Sequence, residues 1–255
     1  MSDHEQQNHQ ESDLARYDED IAASMDNPSF NPELQKCVDK MADLILSAIE
    51  DSNPPRVDFF FLLSGKSSPF TRLLLSRCFE LIAHRRNLSQ SVEKAFISLL
   101  NDRVIELSDT ENQYMYDFVG FRTTSEQHIS PKLDKIQKTS RIIILDDHID
   151  AGLKVTTYHE ALNEHGFSNS TFLAFAGDST YKGDAAIAST DPNLKKGIKG
   201  IAKMMSLVKK MKNKIDPESS PVKTNLEAYE NKVSDYVNRI RTFFTFKDSA
   251  ARSRD

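Results

Sequence analysis

Uninterrupted apolar runs of strand length alternate with segments of helical periodicity through the middle of the chain. The runs that predict strands occupy residues 57–63, 142–145 and 172–175, and a further strand is predicted over residues 114–121. Apolar spacing predicts helices over residues 70–86, 89–107 with a short strand at its end, and 155–165, which Gly166 caps. Such continuous apolar runs are typical of strands that are buried on both faces of a parallel sheet.

This alternation predicts an α/β fold, in which a mainly parallel central sheet is flanked by helices in a Rossmann-like layout, with helical additions at both ends. Residues 1–29 are polar, acidic and without periodicity, which predicts a disordered tail. Residues 30–182 form the predicted α/β domain, including an N-terminal helix. Residues 183–255 form a predicted helical extension, with helices over residues 195–214 and 224–246.

Composition narrows the class of protein without naming a function. The 255 residues are 38 % hydrophobic and 28 % charged, so a packed core is feasible, and the net charge of −5 gives no argument for nucleic-acid binding. Cys37 and Cys78 lie in apolar helical patterns and are predicted to be buried free thiols. The sequence starts without signal-peptide features, and no apolar run approaches the ~18 residues that span a bilayer, so a cytoplasmic protein is expected.

Two adjacent carboxylates, Asp146 and Asp147, follow the apolar run of residues 142–145 and are expected to emerge at the tip of that strand. Such a pair repels unless a cation or hydroxyl donors lie between the two groups. A ribose diol supplies the donors, and Mg²⁺ supplies the cation. Gly152 then allows a tight turn, and the free amides of the helix that begins near it can hold a phosphate. The sequence therefore predicts a ribose-phosphate site.

The stretch IIILDDHIDAGLKVT, which begins at Ile142, resembles the phosphoribosyl-diphosphate motif of type I phosphoribosyltransferases. That motif has four apolar residues, two acids, two mostly apolar residues, a variable residue, Thr, Gly, any residue and Thr. An aspartate at the variable position makes the hypoxanthine-guanine branch the nearest. The resemblance covers residues 55–180 and implies an Mg²⁺-dependent enzyme that transfers the phosphoribosyl group from phosphoribosyl diphosphate to a nitrogenous base.

The resemblance also implies a role for each matching residue. Asp146 and Asp147 would hold the ribose hydroxyls and the Mg²⁺, and Asp150 would be the catalytic acid/base residue. The residues that would bind the 5′-phosphate are Ala151, Gly152, Leu153, Lys154 and Thr156. The residues that would bind the diphosphate, in a loop after the first core strand, are Ser64, Gly65, Lys66 and Ser67. The implied ligand is phosphoribosyl diphosphate or a nucleoside monophosphate.

Two departures from the motif leave a second interpretation open. Ala151 stands where the family has Thr, and Lys154 stands where it has Thr or Ser, so two hydroxyls that help to hold the 5′-phosphate are replaced. Lys154 would compensate by charge, but as a point cation rather than a shaped set of donors. His148 stands where an apolar residue is usual; it is predicted to be packed, and a contact with the ligand is the alternative. The alternative is therefore a non-catalytic module that senses its ligand and acts through partners.

Two other classes of protein share fragments of this pattern. The sequence SGKSS, which begins at Ser64, resembles a nucleotide-binding P-loop, but Phe60 stands where that motif needs a glycine. If Phe60 remains in a strand, the loop cannot cradle phosphates. The first strand of a response-regulator receiver also resembles RIIILDDH, yet that strand should open its domain and be followed about 40 residues later by a phosphorylatable aspartate. Neither condition holds here.

The segment of residues 195–214 contains eight lysines and no acid. Its apolar positions nearly keep helical spacing, so it is predicted to be a basic amphipathic helix whose lysines are solvated. The same lysines could bind an acidic partner, nucleic acid or an anionic membrane surface, or could attract phosphoribosyl diphosphate. The sequence is also compatible with a homodimer.

Overall fold

The computed structural model describes residues 3–51, 57–63, 68–86, 89–106, 136–150, 152–212 and 222–252. The chain divides into two compact units, a helical unit made of Met1–Leu34 and Pro192–Asp255 and a sheet unit made of Gln35–Asp191. The strand predicted at residues 114–121 lies outside the described residues.

The sheet unit contains five strands, β1 (Phe59–Leu62), β2 (Val104–Glu106), β3 (Ile142–Ile149), β4 (Ser170–Gly177) and β5 (Ala185–Ser189). All neighbouring strands are parallel, and their order across the sheet is β2-β1-β3-β4-β5. The helices within the described residues are α1 (Asp3–Met25), α2 (Phe30–Glu50), α3 (Ser68–Arg85), α4 (Gln90–Asn101), α5 (Leu153–Glu164), α6 (Pro192–Lys212) and α7 (Val222–Arg252).

Alternate side chains of the strands meet helices on two sides of the sheet. On one side, the ring centroid of Phe60 in β1 lies 5.0 Å from that of Phe79 in α3. On the same side, the thiol of Cys37 in α2 donates to the carbonyl of Phe175 in β4 at 3.0 Å, and neither Cys37 nor Cys78 forms a disulfide. The opposite row packs against α5 in one cluster that includes Phe61, Ile144, Phe172, Tyr158 and Leu162. The predicted parallel α/β layout with flanking helices is therefore confirmed.

Two strands differ from the prediction. β3 was expected to end at Leu145 but continues to Ile149, because β4 carries small residues alongside it and keeps pairing as far as Gly177. β5 lies at Ala185–Ser189, inside the region predicted to be a helical extension, so that boundary at residue 183 is wrong. β5 has no continuous run of large apolar residues, and small side chains gave no strand signal.

The prediction of a disordered tail over residues 1–29 is wrong, because α1 occupies most of that segment. Leu14, Ile21 and Met25 are buried, and their spacing places them on one face of the helix. α1 packs on α6 at Gly197 and Gly200, where a Cβ on Gly200 would lie only 2.7 Å from Cγ1 of Ile21. The sequence of this segment is mostly polar because the apolar residues of α1 are confined to one narrow face.

The lysine-rich segment forms the amphipathic helix α6, as its spacing predicts. Ile198 and Ile201 of its apolar row are fully buried. Part of its charge is neutralised inside the helical unit, since Lys196 lies 2.9 Å from a carboxylate oxygen of Asp20 in α1. Within the described residues, no helix combines the length and the apolarity needed to cross a membrane.

Candidate functional site

At the centre of the sheet, between β1 and β3, the order in which strands are added reverses. β1 and β3 lie side by side, β2 extends the sheet beyond β1, and β4 extends it beyond β3. The connections that leave this pair therefore run to opposite sides, and ligands of open α/β sheets bind at the carboxyl ends of such a pair. β1 stays paired with β3 up to its own last residue, Leu62, and just beyond it the amide of Leu63 donates to the carbonyl of Leu145 at 2.9 Å.

Asp146 and Asp147 lie at this carboxyl edge, but within β3 rather than beyond its tip. They are only 3 % and 2 % exposed, respectively, and Asp146 is in register with Ala174 of β4. Since successive side chains of a strand leave opposite faces, the two carboxylates start out in different directions. A carboxylate oxygen of Asp146 accepts from the amide of Asp147 at 3.1 Å. The two carboxylates are therefore more deeply buried than side chains at the tip of a strand would be.

His148 joins this acidic pair to Asp150, a connection that the sequence did not reveal. Oδ1 of Asp147 accepts from the amide of His148 at 2.8 Å and contacts Nδ1 of the same residue at 2.7 Å. An ionised carboxylate only accepts, so Nδ1 carries the proton of that contact. Nε2 of His148 lies 3.7 Å from Oδ2 of Asp150, whose side chain is 44 % exposed. The imidazole thus lies between a buried acid and an exposed one.

Gly152 adopts a φ of +77°, as a tight turn before α5 requires. The ring of Tyr181, from the β4–β5 connection, lies against it, and a Cβ on Gly152 would come within 2.3 Å of Cε2 of that ring. A Cβ on Gly183 would lie equally close to the Tyr181 hydroxyl. Burial raises the pKa of the Tyr181 phenol, and a hydrogen bond with the backbone of Ala185 partly offsets this. Sequence reasoning missed Tyr181, for which no local pattern gives a signal.

The remaining predicted phosphate ligands are only partly described. Leu153, Lys154 and Thr156 lie in the first turns of α5, but their side chains are outside the described part of the chain. Ala151 lies entirely outside it, as do the four residues predicted to hold the diphosphate, Ser64, Gly65, Lys66 and Ser67. The elements that flank those four, β1 and α3, place their ends at the same edge as Asp146.

Phe60 bears on the P-loop alternative. It lies inside β1, is fully buried and pairs in register with Val104 and Ile143 on the two neighbouring strands. A phosphate-cradling loop that begins at residue 60 would have to break this pairing. The strand at Phe60 therefore argues against the P-loop interpretation, which requires a loop at that position.

Asp146 and Asp147 are the residues that would hold Mg²⁺. Carboxylate oxygens are the right donors, and Mg²⁺ is usually bound by one or two carboxylates together with phosphate oxygens of the substrate. Among the described residues, no group of three or more His, Cys, Asp or Glu side chains is arranged to hold a metal ion. The two carboxylates therefore fit a cation that also takes phosphate oxygens from a bound ligand.

Comparison of the chain with protein-family models, with curated proteins and with solved structures finds no match. The resemblance to phosphoribosyltransferases therefore stays a prediction, which rests on the residues of the β3–α5 segment.

Proposed function

We propose that the sheet unit binds phosphoribosyl diphosphate or a nucleoside monophosphate at the carboxyl edge of β1 and β3, and transfers the phosphoribosyl group to a nitrogenous base. The observation that supports it best is the position of Asp146 and Asp147. Both carboxylates lie near the end of the central strand, next to the reversal point, and a positive-φ glycine and a helix N-terminus follow at once. Carboxylates for a ribose and amides for a phosphate are thus offered by one segment.

In this proposal the ribose hydroxyls donate to Asp146 and Asp147. The low exposure of both carboxylates makes each such hydrogen bond stronger than it would be in water. The backbone amides at the start of α5 hold the 5′-phosphate, and residues 64–67 hold the diphosphate. Mg²⁺, when bound, supplies positive charge that stabilises the leaving diphosphate. Asp150, which is exposed at the end of β3, accepts the proton of the incoming base.

Removing the two charges tests the proposal. In the double variant Asp146→Asn and Asp147→Asn, the affinity for Mg²⁺-phosphoribosyl diphosphate should fall at least about 100-fold, because two charge-assisted hydrogen bonds are lost. Calorimetry measures the affinity, and circular dichroism shows whether the variant is folded. Glu164→Gln is the matched control, since it changes an exposed acid at the far end of α5 to an amide. Unchanged affinity in a folded double variant would contradict the proposal.

A second candidate is a module of the same fold that binds the ligand without turnover. The replacements Ala151 and Lys154 favour it, and so does the Tyr181 ring that lies against Gly152 in the proposed phosphate loop. The two candidates differ in one product: purified protein that binds phosphoribosyl diphosphate tightly, yet releases no diphosphate with purine or pyrimidine bases, would be the sensing module. Measurable release of diphosphate with any base would identify the transferase.

A further inference from the structure

Thr71, in the first turn of α3, has a side chain that the fold leaves unsatisfied. It is 0 % exposed, and its hydroxyl has no hydrogen-bond partner in the part of the chain that the structure describes. A threonine within a helix commonly donates to the carbonyl one turn earlier, but no carbonyl of the described residues accepts from Thr71. Because an unpaired buried hydroxyl destabilises a protein, its presence requires a reason.

Thr71 lies in the turn of α3 that is nearest to the candidate site. It shares a helical face with Leu74 and Cys78, which are both fully buried. Helical side chains tilt toward the N-terminus and cover the preceding turn. Since α3 follows β1, its N-terminus lies at the carboxyl edge of the sheet, where Asp146 lies on the neighbouring strand β3. Thr71 therefore lies at the end of α3 that adjoins the reversal point.

This helix end is suited to an anion but is short of donors. The amides of Ser68 and Phe70 belong to the first turn and have no acceptor within the helix, whereas Pro69 has no amide hydrogen. The helix dipole adds partial positive charge at the same place. Thr71 supplies a hydroxyl donor in the turn where the proline has removed an amide donor.

We propose that the N-terminus of α3 is a phosphate-binding subsite in which Oγ1 of Thr71 donates to a phosphate oxygen. The inference rests on the proposed function only where it identifies that phosphate as part of the diphosphate group of phosphoribosyl diphosphate. Ligand binding satisfies the hydroxyl for which the described residues offer no partner.

Thr71→Val in the full chain tests the subsite, because valine keeps the shape of the side chain and removes only the hydroxyl. Without ligand, the variant should melt at the same temperature as the wild type or higher, since no hydrogen bond is lost. Its affinity for Mg²⁺-diphosphate, measured by calorimetry, should fall about 10–100-fold, as expected for the loss of a hydrogen bond to a charged group. Thr71→Ser keeps the hydroxyl and should bind within about 3-fold of the wild type.

Thr171→Val is the matched control, because Thr171 lies near the amino end of β4, at the opposite edge of the sheet. Unchanged binding of diphosphate by Thr71→Val would overturn the subsite, and so would a melting temperature several degrees lower without ligand. Wild-type protein that binds phosphoribosyl diphosphate while Thr71→Val binds it equally well would leave the proposed function standing and remove the subsite. Wild-type protein that binds diphosphate but not phosphoribosyl diphosphate, together with a Thr71→Val variant that binds no diphosphate, would leave the subsite standing and remove the proposed function. Wild-type protein that binds neither ligand would remove both.

Discussion

Gly152 and Tyr181 lie so close together that each restricts what the other can be. The left-handed backbone of Gly152 disfavours side chains, and the tyrosine ring fills the space where a side chain would begin. Gly166, at the C-terminal end of α5, has a similar φ of +81° but open surroundings, because the atom nearest to a Cβ added there would be Cδ of Lys138, at 3.8 Å. At Gly166 only the positive φ favours glycine, whereas at Gly152 the positive φ and the packing of the Tyr181 ring both favour it.

Gly152→Ala should lower the free energy of unfolding by about 2–4 kcal/mol, since backbone strain and overlap with the ring act together. In a Tyr181→Ala background the same change should cost about 1–2 kcal/mol, which is the backbone part alone. Gly166→Ala should also cost about 1–2 kcal/mol. Urea denaturation of the four variants gives these values. Equal costs for Gly152→Ala with and without the tyrosine would show that the ring does not limit this position.

At the scale of residues, the sequence pattern identified Asp146 and Asp147 but predicted them at the tip of β3 instead of inside it. Four apolar residues followed by two acids suggest that a strand has ended, because charged side chains rarely lie inside a sheet. What extends β3 is the neighbouring strand, whose small residues Ala174 and Ala176 continue the backbone pairing. Such a cross-strand cause has no trace in the local pattern.

At the scale of whole elements, long apolar faces predicted helices and strands well, and small or narrow faces did not. β1, β3 and β4 were located by their apolar runs, although β3 and β4 proved longer. β5 was missed because its sequence AAIAS contains one large side chain, and α1 was missed because acids dominate its composition. The acids of α1 have partners on α6 and α7 that lie far away in the sequence.

The contact between α1 and α7 predicts a pH dependence. The hydroxyl of Tyr236 donates to Oδ1 of Asp18 at 2.8 Å, and Lys232 pairs with the same carboxylate. Burial, reinforced by the hydrogen bond to Asp18, raises the pKa of Tyr236 from 10 to about 12. The folded protein then holds the phenolic proton to higher pH than the unfolded chain, so this stabilisation is complete below pH 10 and is lost between pH 10 and 12.

Tyr236→Phe should therefore be less stable than the wild type at pH 8 and should lose less stability between pH 10 and 12. Urea denaturation followed by circular dichroism at a series of pH values measures both effects. Tyr229→Phe, on the same helix, is the control, since the described contacts of Asp18 involve Tyr236 and Lys232. A parallel decline for the wild type and Tyr236→Phe would mean that Asp18 does not couple this phenol to folding.

At the scale of the whole molecule, the two units each contain a buried core of their own. A ligand that binds one unit stabilises it by mass action, to an extent of about 2.7 kcal/mol at a concentration 100 times Kd. Calorimetric melting should then show two transitions, of which Mg²⁺-phosphoribosyl diphosphate raises only the one that belongs to Gln35–Asp191. Hydrogen exchange assigns each transition to its residues. A single transition that rises as one would contradict the independence of the units.

Sequence patterns could not have joined the two ends of the chain into one unit. Periodicity reports which face of an element is apolar but not which distant element covers it. Ile21 meets Gly200, and Phe30 meets Gly197, across the whole length of the sheet unit in the sequence. Each end by itself therefore reads as an appendage, one acidic and one basic.

This arrangement sets an order of events while the protein is being made. Chains leave the ribosome from the N-terminus at about 5–20 residues per second, and domains generally fold as units. The first helix of the helical unit is therefore synthesised well before the helices that cover it, and every residue of the sheet unit is synthesised in between. The buried face of α1 must wait, exposed or held by a chaperone, until α6 emerges. A ribosome stalled within α7 should carry a folded sheet and an unprotected N-terminal helix, which a protease pulse on nascent chains would detect.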